Sequence, residues 1–145
     1  MTALDYLSIG ELVEQLDGGE RSSREVTEAQ LARIGSMDGS LNAYITVMSE
    51  QALAAADRAD RRRRGGERGS LLGVPLAVKD LFATAGVRTT AGSRVLADSV
   101  PESTATAVQR LEDAGAVILG KTNMMEFAYG YPHPDYGETR NPWDT

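Results

Sequence analysis

Residues 71–80 read LLGVPLAVKD, and the first eight of them are almost all apolar. A continuous apolar run of this length is typical of a β-strand buried on both faces of a parallel sheet, and here it predicts a strand over residues 71–78. A helix is predicted downstream over residues 104–114, and the apolar residues 116–119 predict a second strand. The order strand, helix, strand predicts an α/β fold with parallel pairing.

The segment before this run predicts helices. Ser8 and Glu11 form a capping-box pattern that starts the first helix. The second helix is expected to begin at Ser22 or Ser23 and to end near one of its two glycines, Gly35 or Gly39.

One short strand and a third helix complete the first part of the chain. Residues 43–48 (AYITVM) predict the strand, and Ser49 begins an alanine-rich helix. The glycines that follow this helix, from residue 65 to residue 69, predict a flexible joint. The chain is therefore divided into residues 1–70, peripheral helices with one strand, and residues 71–145, the start of a sheet-based core.

Composition limits the functional classes. A chain of 145 residues and 15.5 kDa holds one core at most. The absence of cysteine and the single histidine, His133, exclude thiolate, zinc and two-histidine metal sites and leave only carboxylate metal binding open. We predict no metal site and no cofactor. A net charge of -6 and a pI of 4.8 argue against direct nucleic-acid binding. No apolar window reaches the length of a membrane span and the first residues lack a leader pattern, so the sequence predicts a cytoplasmic protein.

The segment DRADRRRRGGER, residues 57–68, is the one strongly basic stretch, with six arginines against three acids. Such a cluster can hold an anion. A solvated helix end is the more ordinary interpretation, and we favour it.

Residues 115–122 (GAVILGKT) satisfy the P-loop pattern for nucleotide phosphates. The context opposes that function, because a helix precedes Gly115 and the predicted strand occupies the positions where a P-loop needs a loop. Lys121 is then a residue at the end of a strand, with a structural role.

Lysine usage singles out two positions. Of the 15 basic residues, 13 are arginine and only Lys79 and Lys121 are lysine. An ammonium among apolar neighbours loses its proton more easily, which arginine does not do near neutral pH. Lys79 follows the predicted buried strand and is a candidate base, although Asp80 opposes this effect. The alternative is a lysine at a strand end that pairs with a carboxylate.

Four motifs follow one another in the second half of the chain: GVPLAVKD at 73–80, TAGS at 90–93, DAGAVILGKTNMMEF at 113–127 and GETRNPWD at 137–144. Together they resemble the N-terminal part of an amidase signature hydrolase. The resemblance implies the amidase signature fold, a mixed β-sheet core wrapped by α-helices. This chain would contain only its N-terminal portion, incomplete, with 71–145 as the start of the catalytic core.

The resemblance implies a Ser–cis-Ser–Lys triad in which Lys79 is the base. The two serines belong to Gly/Ser-rich segments that in the family follow the Asn-Pro-Trp-Asp motif, and the sequence given stops at Thr145. We therefore expect a truncated core without its nucleophile, inactive alone. The family also uses the segment after GKTN near its substrate, which makes Phe127, Ala128 and Tyr129 candidates for the pocket wall.

Three functions remain open at this point. The first is a free-standing amidase acting on a small-molecule carboxamide. The second is the glutaminase-type component of the tRNA-dependent amidotransferase, its A subunit, and the third is a non-enzymatic remnant or binding module that uses residues 61–64. The partners implied are the amide substrate, the remainder of the amidase core, and either a second copy of the chain or the other amidotransferase subunits, with neither nucleic acid nor a membrane bound directly.

Overall fold

The computed structural model describes residues 7–144. Residues 1–6, which hold most of the stretch examined for a leader, and Thr145 lie outside the described residues. In chain order the elements are α1 (Ile9–Gly18), α2 (Ser23–Leu41), β1 (Tyr44–Val47), α3 (Ser49–Arg64), β2 (Pro75–Lys79), α4 (Thr106–Asp113) and β3 (Val117–Thr122). Single turns of 3-10 helix occur at Arg94–Leu96 and Glu126–Ala128.

The first two helices begin at serine caps, as the sequence predicts. The Ser8 hydroxyl accepts a hydrogen bond from the Glu11 backbone, and the Glu11 carboxylate accepts one from the Ser8 backbone at 2.7 Å. Ser22 and Glu25 repeat this capping box at the start of α2. Reciprocal caps of this kind satisfy backbone donors that a helix leaves free at its N-terminus.

α2 ends at Leu41, two residues after Gly39, which confirms the predicted end near Gly39, and Gly35 lies inside the helix. Asn42 then takes a left-handed conformation, with φ of 54°, and closes the helix. A glycine inside a helix costs only about 1 kcal/mol. Packing of Ile34 against the sheet outweighs that cost.

β3 is the central strand of a three-stranded sheet, antiparallel to β1 and parallel to β2. The parallel pairing confirms the strand, helix, strand prediction. Residues 117–121 are all buried and lie within the strand, so the structure confirms that they are not a phosphate-binding loop.

The strand predicted over 71–78 is shorter than expected and is not buried on both faces. It begins only at Pro75, because Gly73 makes a turn with φ of 79°. Within β2 only Val78 is buried, while Ala77 and Lys79 are exposed. The physical reason is the alternation of faces: within residues 7–144 the face of β2 that carries Val78 is covered by the cluster around Val108, and the face that carries Ala77 and Lys79 is not.

The core lies on both sides of the sheet. On one side, Val117 and Leu119 of β3 pack against alanines of α3. On the other, Ile118 joins Val108 of α4 in a second cluster. Alternation along the strand therefore divides its side chains between two helical layers. Across the part of the chain that the structure describes, none of the helices has the length and apolar character needed to cross a membrane.

Asp60 of α3 caps α2 from outside that helix. Its carboxylate is 9% exposed and accepts hydrogen bonds from the backbone of Ser23 at 2.7 Å and of Arg24 at 3.1 Å. We expect Asp60→Ala to lower the free energy of unfolding by about 1–3 kcal/mol, because one buried and one part-buried backbone donor lose their acceptor. Urea denaturation of the chain measures this loss.

Asp57→Ala is the matched control for that experiment. Asp57 lies on the same helix and pairs with Arg24 at 2.7 Å, but both side chains are more than a third exposed. Its removal should change stability by about 0.5 kcal/mol or less. Equal losses for the two variants would show that the cap contributes nothing beyond an ordinary surface ion pair.

Candidate active site

The two parallel strands end side by side, with Lys79 of β2 in register with Thr122 of β3. The side chain of Lys79 is exposed, and within residues 7–144 its ammonium has no hydrogen bond or ion pair. Within the described residues the face of β2 that carries Lys79 is uncovered, and the burial of Lys79 in a complete family core stays a prediction. Within these residues the Lys79 side chain extends from the end of the sheet without a hydrogen-bond or ion-pair partner.

The desolvated lysine is Lys121, on the neighbouring strand. Its ammonium is fully buried and donates hydrogen bonds to the Phe82 carbonyl and to Thr89 Oγ1, both at 2.8 Å. It lies 3.3 Å from Asp80 Oδ1, and the Asp80 side chain is also fully buried. Burial lowers the pKa of Lys121, and the Asp80 carboxylate opposes that effect. The predicted structural role of Lys121 agrees with these contacts.

Asp80 also organises the turn that carries the TAGS motif. Its Oδ2 accepts hydrogen bonds from the Thr90 backbone at 2.8 Å and from Thr90 Oγ1 at 2.6 Å. The Asp80 carbonyl accepts a third from the Ala91 backbone, at 3.1 Å. The residue after Lys79 is therefore held by both its side chain and its main chain.

A second turn, Glu126–Ala128, packs against the first. The Phe127 backbone donates to the Ala91 carbonyl at 2.8 Å, and Ser93 Oγ donates to the Glu126 carboxylate at 2.6 Å. The approach is close, because a Cβ on Gly92 would lie 2.8 Å from the Met124 carbonyl oxygen. The two turns form one unit.

Backbone strain is concentrated in these two turns. Among residues 7–144, four residues other than glycine have positive φ, and three of them are Ala91, Phe127 and Ala128, at 52°, 50° and 62°. Each costs of order 1–3 kcal/mol and persists only where surrounding contacts impose it. Strain of this kind is characteristic of functional sites, and here it lies beside the strand end that carries Lys79.

Of the predicted pocket residues, Phe127 and Ala128 lie on this second turn and Tyr129 follows it. Phe127 is 52% exposed and Tyr129 is 89% exposed, so both side chains are available for contact. An open depression nearby is lined by Met124, Met125 and residues 130–132 and 137–139, and none of Phe127, Ala128 or Tyr129 lines it. Their role as a pocket wall stays a prediction.

The C-terminal loop is attached to the body by two asparagines that sequence reasoning missed. Asn42 donates to the Tyr136 carbonyl at 2.7 Å, and Asn123 donates to the Gly137 carbonyl at 3.1 Å. The Tyr136 hydroxyl reaches the Ser93 carbonyl at 3.3 Å. The sequence signal available was the GKTN motif, which contains Asn123.

The arginine cluster is only partly the solvated helix end that was predicted. Arg61 and Arg64 are exposed, in agreement with that interpretation. Arg63, however, is 9% exposed, donates to the Leu72 carbonyl at 2.6 Å and pairs with Asp17. It joins α3, α1 and the turn before β2, which is a structural role.

Comparison with known proteins gives the family. The family model described as Amidase matches residues 25–145. The A subunit of the glutamyl-tRNA(Gln) amidotransferase of Geobacter metallireducens is 51% identical over 140 residues, which cover 95% of this chain and 29% of that protein. The chain thus spans about 30% of the length of the relatives it matches.

Solved structures agree. A protein from a vestigial complex, described as revealing the origins of an s-triazine catabolic enzyme, is 45% identical with a TM-score of 0.90, over 96% of this chain and 31% of that one. The peptide amidase of Stenotrophomonas maltophilia is 40% identical with a TM-score of 0.81, over 86% of this chain and 26% of its own. The matched region includes both strand ends and both strained turns, and the chain belongs to the amidase signature family.

Proposed function

We propose that the polypeptide carrying this sequence hydrolyses the C–N bond of a carboxamide, with Lys79 as the base of a Ser–cis-Ser–Lys triad. The observation that carries the proposal is the environment of Lys79: within residues 7–144 it is an amine without a partner at the end of β2, beside two turns of strained backbone. The Lys79 side chain is therefore open to contact with further groups, whereas Lys121 is enclosed and engaged by three groups.

The proposed chemistry begins with a neutral Lys79 amine. The amine accepts a proton from the bridging serine, which takes one from the nucleophilic serine as that oxygen attacks the amide carbonyl. The tetrahedral species collapses to an acyl-enzyme when the amide nitrogen receives a proton and leaves as ammonia or an amine. Water then attacks the ester, releases the carboxylic acid and restores the serine.

Both serines are proposed to lie in the part of the family fold that residues 1–145 do not span. No serine of this chain occurs in the corresponding Gly/Ser-rich motif. Loss of a nucleophile and of the oxyanion donors removes most of the rate advantage of such an enzyme. We therefore propose that residues 1–145 alone bind amides at best and do not turn them over.

A second candidate is the glutaminase-type component of a tRNA-dependent amidotransferase, which would release ammonia from glutamine for a partner protein. The observation in its favour is similarity: this chain is 51% identical to the amidotransferase relative and 40% identical to the peptide amidase. The hydrolytic step and the role of Lys79 are the same in both candidates.

The test uses the polypeptide purified at its native length from its source, with its intact mass recorded. Ammonia release is measured from L-glutamine, propionamide and benzamide. Turnover of simple amides without a partner supports the free-standing amidase. Turnover of glutamine together with amidation of mischarged tRNA in the presence of a partner supports the amidotransferase component. A native mass of 15.5 kDa with no turnover would instead favour a non-enzymatic remnant.

A further inference from the structure

The buried pair of Asp80 and Lys121 has no role in the chemistry proposed above. Burying two charges is costly, and replacing a buried pair with apolar residues is often neutral or stabilising. The pair is therefore poorly explained by stability alone. Its contacts indicate what else it does.

Lys121 holds together the two ends of the segment that follows Lys79. The same ammonium binds the carbonyl of Phe82, three residues after Lys79, and the hydroxyl of Thr89, at the end of that segment. The Phe82 backbone in turn donates to the Lys79 carbonyl at 3.0 Å. Two successive hydrogen bonds through Phe82 thus connect the Lys121 ammonium to the main chain of Lys79.

Asp80 fixes the other side of Lys79. Its backbone donates to the Thr122 carbonyl at 3.1 Å, which anchors the end of β2 to β3. Its carboxylate holds Thr90, and so it holds the turn that packs against Phe127. One buried carboxylate is therefore connected both to the residue that carries the amine and to the strained turns.

We infer that the Asp80–Lys121 pair is a positioning element that sets the direction in which Lys79 leaves the sheet and the distance between Lys79 and the turn at Phe127. This inference rests on the proposed function, because it concerns the base of that reaction. Neither residue reaches the exposed face that carries the Lys79 amine, so both act through the backbone.

The test compares Asp80→Asn, Lys121→Met and the double variant in the native-length polypeptide. Each single variant leaves one buried charge without its partner and should lower Tm by about 10 °C. The double variant removes both charges, so Tm should recover most of that loss. We expect kcat to stay at least about 10-fold below wild type in all three, with KM within about two-fold, because misplacement of a base slows the chemical step.

The double variant separates positioning from stability. If kcat recovers together with Tm, the pair is only structural and the inference is overturned. Amide hydrogen exchange at Phe82 and Ala91 gives a second readout, since both amides should exchange faster in the double variant than in wild type. Unchanged exchange at both would also contradict the inference.

The matched control is Glu28→Gln, which removes the charge of an exposed pair with Arg24, where the two side chains are 51% and 43% exposed. It should leave Tm and kcat close to wild type. Other results would overturn the proposed function itself. If Lys79→Ala keeps full activity, or if the wild type does not turn over amides, Lys79 is not the base of this reaction and the inference fails with it. If Lys79→Ala loses activity but the double variant keeps the wild-type kcat, only the positioning role of the Asp80–Lys121 pair is overturned.

Discussion

Lys79→Ala should reduce kcat/KM for amide hydrolysis by the native-length polypeptide at least about 1,000-fold, because removal of a general base from a nucleophile that depends on it abolishes its activation. The fold should be retained. Within residues 7–144 the Lys79 side chain is exposed and unpartnered, so the packing of these residues does not depend on it. Steady-state ammonia release measures the loss, and circular dichroism with a thermal scan checks the fold.

Two further variants define the chemistry of that loss. Lys79→Arg keeps the positive charge but cannot give up its proton near neutral pH, so it should be as inactive as Lys79→Ala. Arg110→Ala removes an exposed cation from α4 and should retain wild-type turnover. Activity in Lys79→Arg would mean that the residue acts as a charge, and a wild-type rate for Lys79→Ala would remove it from the mechanism.

The features of the fold that sequence predicts well are local. Capping boxes at Ser8 and Ser22 depend on residues three positions apart, and the structure confirms both. The burial of β2 was predicted wrongly for the opposite reason. Whether a face of a strand is buried depends on residues distant in sequence: Val78 of β2 is covered by Val87 and Val108, and within residues 7–144 the opposite face has no such cover.

The same distinction holds for the site. Lys79 and Phe127 can be found from motifs that are continuous in sequence. The contacts of Lys121 cannot, because its partners Phe82 and Thr89 are 39 and 32 residues away. The sequence contains two lysines, one at the end of β2 and one next to the last residue of β3. Lys121 is in register with the buried Val78, whereas Lys79 is the next residue along β2 and lies on the opposite, uncovered face.

Gly120, in the middle of β3, should be among the least replaceable residues of the chain. A Cβ built on it would overlap the Thr46 carbonyl oxygen and would lie 3.0 Å from the Tyr44 ring. The oxygen in the way belongs to the backbone of β1, which cannot turn aside as a side chain does. Gly120→Ala should therefore lower the free energy of unfolding by about 3 kcal/mol, the upper range for overpacking.

Denaturant unfolding measures the effect, with Gly35→Ala as the control. Gly35 lies within α2 and a Cβ there would meet no atom within 4 Å, so alanine should raise stability by about 0.5–1 kcal/mol. If Gly120→Ala lowers the free energy of unfolding and Gly35→Ala raises it, the loss at Gly120 comes from the close approach of β1. If Gly120→Ala were as stable as wild type, β1 would not lie this close to β3.

Because Gly120 precedes Lys121, a displaced β1 should also disturb the buried pair of Asp80 and Lys121. In the native-length polypeptide, kcat should therefore fall together with stability.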